Sequence, residues 1–122
     1  AMDEANVILT DGRDLDPGER QALENSSVTH LKDPQMLLEK PLTSDALYVH
    51  LDTDILDPGE APAMNYLSEG GPSSQELEGV FKYLAESGRV AAVSMSSWNP
   101  EMDEARVTEQ LCMRLFGTLA GY

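Results

Sequence analysis

An α/β fold with a parallel sheet is what this chain predicts, on three observations. Short apolar runs alternate with amphipathic stretches, one apolar run turns acidic only at its C-terminal end, and no linker or low-complexity segment divides the sequence. With 122 residues and 41% hydrophobic content, the chain is long enough for one domain with a core and too short for two. Residues 1–122 are therefore read as a single domain, with Ala1-Met2 set aside as an appended scar ahead of Asp3.

The elements follow in order. Asn6 to Leu9 is a short apolar run that ends in the polar Thr10 to Asp14, which predicts a buried strand. Glu19 to Glu24 reads as a brief helix, Ser27 to Leu31 as a second strand and Pro34 to Leu38 as a helical turn. Ala46 to Asp52 is the clearest strand, because its apolar and aromatic residues run together and polarity arrives last; Asp57-Pro58-Gly59 stops it. From Ser73 to Glu86, Leu77, Val80, Phe81 and Leu84 recur at helical spacing, Ser73 or Ser74 is placed to cap the start, and Gly88 follows the last turn. Val90 to Met95 is a fourth strand, and Val107, Leu111, Leu115 and Leu119 predict one face of a final helix. One pentapeptide occurs twice, as Leu15 to Glu19 and as Leu56 to Glu60, with flanks that disagree. Shared turn chemistry of Asp-Pro-Gly accounts for that echo better than duplication.

Charge narrows the partners. Eight basic against 22 acidic residues leave a formal charge of −14, which repels nucleic acid and anionic membrane and suits cationic ligands. A lone cysteine, Cys112, excludes an intramolecular disulfide, and its place beside Leu111 fits a buried small hydrophobe. No apolar run is long enough to span a bilayer, so the expected location is the cytoplasm.

The chemistry concentrates in Asp52-Thr53-Asp54-Ile55-Leu56-Asp57-Pro58. If the strand continues, Asp52 and Asp54 point to the same face with side chains starting roughly 7 Å apart. Two carboxylates at the mouth of a buried strand suffer desolvation and mutual repulsion, and a bound divalent cation removes both penalties. Oxygen donors favour hard ions such as Mg²⁺, Mn²⁺ or Ca²⁺, and strand carboxyl ends are where open parallel sheets bind ligands. An EF-hand is excluded, because Leu56 stands at its next ligand position, Asp57 replaces its glycine and Ala63 its closing glutamate.

The run Leu47 to Pro58, followed by Ala61-Pro62-Ala63 and Gly70-Gly71, resembles the late metal motif of the arginase, agmatinase and formimidoylglutamase superfamily. Gly12-Arg13-Asp14-Leu15-Asp16-Pro17-Gly18-Glu19 is similar to the Gly-x-Arg-Asp stretch of that family, and Asn99-Pro100 to its late Asn-Pro. The resemblance implies a three-layer α/β/α fold with a parallel sheet, of which this chain is the incomplete C-terminal portion. It also implies hydrolysis of guanidinium or amidine-type C–N bonds by water activated between two Mn²⁺ ions. Residue by residue, Asp52 and Asp54 correspond to two carboxylate ligands, and Asp57 to a supporting turn aspartate.

Departures from the pattern qualify that implication. The Gly-Gly-x-His and Asp-x-His-x-Asp segments that bring the other ligands in the family occur nowhere in the chain, so this portion alone is expected to be inactive. His50 stands where the family commonly has serine and is expected to pack or to support the carboxylates, while His30 reads as a surface or strand-end residue. Ser97 stands where arginases place a glutamate for the guanidinium, which favours another amide or amidine substrate, or none, although a small cationic or amide substrate is the family expectation for the intact protein. Trp98 and Ser97 are candidate pocket residues, as are Met64, Asn65 and Tyr66 in the irregular loop. The resemblance places the absent Asp-x-His-x-Asp strand between the strands present here, so exposed edges are expected to be covered by the missing N-terminal half or by a second copy of the chain. Against the hydrolase reading stands a non-catalytic interaction or structural module derived from the same fold, which would be indifferent to metal.

Overall fold

A computed structural model describes residues 2–122. Its backbone is built from two β-α-β units. In the first, β1 (Ile8–Thr10) leads through α1 (Pro17–Glu24) to β2 (Thr29–Leu31); in the second, β3 (Leu47–Asp52) leads through α2 (Ser74–Glu86) to β4 (Val90–Ser96). Both strand pairs are parallel, as crossover helices require. Among the described residues the four strands form two separate two-stranded ladders. Each ladder is closed by its own crossover, and the 3-10 turn Pro34–Glu39 between them packs on β2 and α2 without supplying a bridging strand.

Local chemistry sets the helix ends. In α2 the Ser73 hydroxyl accepts the Glu76 N–H at 3.2 Å while the Glu76 carboxylate accepts the Ser73 N–H at 2.8 Å, a reciprocal cap that satisfies two otherwise unpaired donors. The helix α1 starts two residues earlier than the sequence pattern indicates. Asp16 and Glu19 form the same reciprocal cap at 2.8 and 3.0 Å, and Pro17 occupies the first helical position, where no N–H is needed. The second copy of the pentapeptide folds differently: Asp57 Oδ1 accepts the Gly59 N–H at 2.8 Å and closes a turn. The first strand is also displaced, since Glu4–Asn6 form a 3-10 turn under the Asp3 cap and pairing begins at Ile8.

The helix α3 (Val107–Leu119) packs against α2 and β4. Its buried face is Thr108, Cys112, Leu115 and Leu119: of the predicted series Leu115 and Leu119 are buried, Leu111 is partly buried against the core, and Val107 is 51% exposed. Steps of four residues overshoot a 3.6-residue turn by about 40° each, so a strict i+4 series drifts off the core. With Leu51, Leu77, Val80, Phe81 and Leu84, these residues make a single core on one side of β3 and β4. On β3 the alternate residues Tyr48, His50 and Asp52 stay exposed. Burial of Cys112 pushes its thiol up to about 11, which removes it from nucleophilic chemistry at neutral pH.

The accessible surface is 7721 Å². A self-contained monomer of 13.3 kDa exposes about 6,500 Å² by the usual scaling. The excess, roughly 1,200 Å², is on the order of what one partner contributes to a stable interface.

Candidate metal site

The strand β3 ends at Asp52, and Thr53–Ile55 fold into a 3-10 turn. The same-face argument for Asp52 and Asp54 therefore does not hold, because Asp54 is no longer on a strand. The turn nevertheless brings its carboxyl to Asp52. Burial pushes the Asp54 carboxyl up from 3.8 to about 6, the charge and hydrogen-bonding reach of Asp52 add to the shift, Asp14 adds further, and Arg13 opposes it. Neither Asp52 nor Asp54 takes part in an ion pair among the described residues.

Two long-range contacts hold the turn. Thr53 is fully buried and its hydroxyl donates to the Ser96 carbonyl at 2.8 Å, which fastens the turn to the end of β4. Arg13, from the loop after β1, donates to the Asp54 carbonyl at 3.0 Å. Beyond the turn, Asp57 Oδ2 accepts the Gly70 N–H at 3.2 Å. The sequence marks Arg13 only as part of the Gly-x-Arg-Asp stretch and gives no sign of either contact, because the partners of Thr53 and Arg13 lie 43 and 41 positions away.

The other predicted residues are placed as follows. His50 lies on the open face of β3 with both ring nitrogens engaged by β4: Nδ1 pairs with Ser94 Oγ at 2.7 Å and Nε2 with Ser96 Oγ at 3.2 Å. Ser94 also meets the Tyr48 hydroxyl at 2.6 Å. His30, exposed on β2, meets the Asp11 carbonyl through Nε2 at 2.5 Å. Ser97 is exposed one residue beyond β4, at the same end as Asp52, and its backbone is left-handed with φ 73°. The Trp98 indole N–H donates to Asp103 Oδ2 at 3.1 Å, and Asp103 accepts the Thr108 and Glu109 N–H groups at 3.2 and 2.6 Å. Trp98 is thus tied to the cap of α3. Met64 is 1% exposed and bridges Trp98 through its backbone, so it belongs to the core rather than to a pocket wall. Asn65 accepts from Asn99 Nδ2 at 2.8 Å, and Tyr66 is 82% exposed.

The donor chemistry suits a hard divalent cation: two neighbouring carboxyls, one carrying a raised pKa, with no cationic side chain paired to either. It is half a site. Among the described residues no group of three or more His, Cys, Asp or Glu is arranged to hold a metal ion. A hollow lined by Ala85, Val90, Ala92, Phe116 and Leu119 lies toward the opposite end of β4 and offers no titratable side chain. No helix of the described residues is long and apolar enough to cross a membrane.

The Asp54 shift has a measurable consequence without metal. A carboxyl that holds its proton more tightly folded than unfolded takes up a proton on folding between pH 3.8 and about 6. Its contribution is therefore fully favourable below that window and is lost as pH rises through it. The difference in unfolding free energy between wild type and Asp54→Asn should decline across this range and level off above it. A flat difference in urea unfolding at pH 4, 5, 6 and 7 would rule the shift out.

Comparison with known proteins is consistent along nearly the whole chain. The model of the Arginase family matches residues 2–121. An arginase from Brucella melitensis is 30% identical over 98% of this chain and 43% of its own length, and one from Agrobacterium fabrum is 33% identical over 92% and 40%. The chain thus spans less than half the length of the curated relatives it matches. The crystal structure of an arginase from Bacillus subtilis superposes with a TM-score of 0.87 at 25% identity, covering 98% of this chain and 44% of that one. A formimidoylglutamase from the same species shares the fold, with a TM-score of 0.81 at 20% identity over 98% of this chain and 42% of that one.

Proposed function

The chain belongs to the arginase family, and from that premise we propose that it supplies the Asp52/Asp54 half of a Mn²⁺-dependent hydrolase of guanidinium or amidine-type C–N bonds. The observation that supports the reading is the carboxyl pair itself: the turn after β3 sets Asp54 beside Asp52, burial and then the Asp52 charge push the Asp54 carboxyl up, and neither carboxyl is in an ion pair among the described residues. A divalent cation between the two would offset both effects.

Asp52 and Asp54 would hold the metal; when bound, it lowers the pKa of water and polarises the C–N carbon. The chain's own residues supply the frame. The Thr53 hydroxyl fastens the turn to β4, and Ser97 follows β4 at the same end as Asp52. Ser97 offers a neutral hydroxyl, which orients an amide or amidine by hydrogen bonding and pairs weakly with a guanidinium charge. Since Asp52 and Asp54 make only half a site, a complementary polypeptide brings the remaining ligands, either the N-terminal half of the same parent or a second copy. The excess surface and the unpaired strand edges support such a partner.

Co-expression of this chain with the family's complementary N-terminal segment is the test. Mn²⁺-dependent release of ammonia or urea from a panel of guanidino, amidino and formimino compounds is expected for the reassembled pair, and none for either piece alone. A complex that assembles stoichiometrically yet hydrolyses nothing in the panel at saturating Mn²⁺ would instead favour the non-catalytic module.

A further inference from the structure

Arg13 is two residues beyond Asp11 in the chain, but its guanidinium reaches across to the other β-α-β unit. Nη2 donates to the Asp54 carbonyl at 3.0 Å and to the Ser68 carbonyl at 2.8 Å, and Nε donates to the Glu69 carbonyl at 3.2 Å. Nη1 pairs with the Asp11 carboxylate, which also accepts the Arg13 N–H at 3.1 Å. Four of the five guanidinium N–H groups are therefore engaged in one plane. Three are on backbone carbonyls of the second unit, and the Asp11 carboxylate fixes the direction of the fork. Asp11 itself sits at φ 68°, a conformation that a non-glycine residue adopts at some cost and that the loop retains. The clamp closes over Gly71, where a Cβ would lie 3.1 Å from the Arg13 guanidinium carbon.

We propose that Arg13 is the positioning residue of the Asp52/Asp54 pair: its guanidinium, oriented by Asp11, fixes the backbone of the turn that carries Asp54 and so sets the spacing of the two carboxylates. Because the clamp starts in the first unit and ends in the second, it transmits the placement of the β1–β2 unit to the metal-binding turn. The inference rests on the reading of Asp52 and Asp54 as metal ligands only for its functional consequence; its structural content stands on the three carbonyl bonds. Lysine cannot replace the group, since one ammonium point cannot meet three carbonyls spread along a plane.

The test compares wild type with Arg13→Lys and Asp54→Asn in the full chain, by Mn²⁺ titration followed through paramagnetic broadening and by amide exchange without metal. The key amide is Leu56, whose N–H closes the turn on the Thr53 carbonyl at 3.2 Å. Arg13→Lys is expected to weaken Mn²⁺ binding by about tenfold or more, as loss of outer support does at metal sites. It should also speed exchange at Leu56 by about tenfold relative to the amides of α3. Unchanged affinity, or exchange accelerated equally in α3, overturns the proposal. Asp54→Asn should abolish Mn²⁺ binding and leave Leu56 exchange unaltered. Failure of the wild type to bind Mn²⁺ defeats the metal reading instead, and the Leu56 measurement then decides the role of Arg13 alone. Should Arg13→Lys not fold, Asp11→Asn releases only the orienting contact: faster Leu56 exchange upholds the clamp, and an unchanged rate refutes it.

Discussion

Asp54→Asn in the reassembled hydrolase is expected to lower Mn²⁺-dependent kcat/KM by at least about a thousandfold. Asparagine keeps the size and one oxygen but removes the charge, so the two-carboxylate donor set becomes a single carboxylate beside a neutral amide. Charge stabilisation of several kcal/mol is at stake when a hydrolytic cation is lost, and each 1.36 kcal/mol is tenfold in rate. In the metal-free chain burial, with the Asp52 charge behind it, pushes the Asp54 carboxyl up to about 6. Without metal the same substitution relieves the repulsion, so the variant should be no less stable than wild type above pH 6. A loss of activity below tenfold at saturating Mn²⁺ would remove Asp54 from the site.

Gly71→Ala should destabilise the chain by about 3 kcal/mol or more, a fall in Tm of roughly 12 °C for a domain of this length. Gly71 has φ 91°, where a side chain is strained, and its Cβ would press directly into the Ile55 carbonyl oxygen at the end of the Thr53–Ile55 turn. That oxygen is backbone and has no rotamer by which to yield. Gly70 provides the internal comparison. Its φ is 84°, but a Cβ there meets only the Arg13 Cδ at 3.9 Å, so alanine pays conformational strain alone, on the order of 1 kcal/mol. Chemical denaturation of both variants separates steric overlap from backbone strain; equal losses at the two positions would show that the close approach to Ile55 is not what requires glycine.

Much of this architecture was legible because it is local. Leu77, Val80, Phe81 and Leu84 announce one face of α2, and Ser73 with Glu76 announces its start, since both signals operate within a turn or two of helix. The strand β3 was legible for the same reason, its apolar run being short and bounded. Where local patterns compete, the reading slipped. Asp16-Pro17-Gly18 satisfies both turn and helix-start chemistry, and the reciprocal cap with Glu19 decides for helix, whereas Asp57-Pro58-Gly59 remains a turn closed by Asp57 itself. In α3 the buried face keeps the predicted Leu115 and Leu119 but begins at Thr108 and Cys112, where Thr108 is buried with its hydroxyl oxygen accepting the Ala63 N–H at 3.1 Å, a polar group made compatible with the core by a partner 45 positions away.

The sequence by itself determined the family and the end of β3 at which acidic chemistry gathers, because motif order and apolar periodicity are written along the chain. Only the tertiary structure decided that Asp54 reaches Asp52 from a 3-10 turn, that His50 is held by two serines of β4, that Trp98 anchors the cap of α3, and that Arg13 clamps the turn from another unit. Each of these depends on contacts across parallel crossovers or on side-chain direction after a strand has ended, and neither quantity has a period that a linear pattern records.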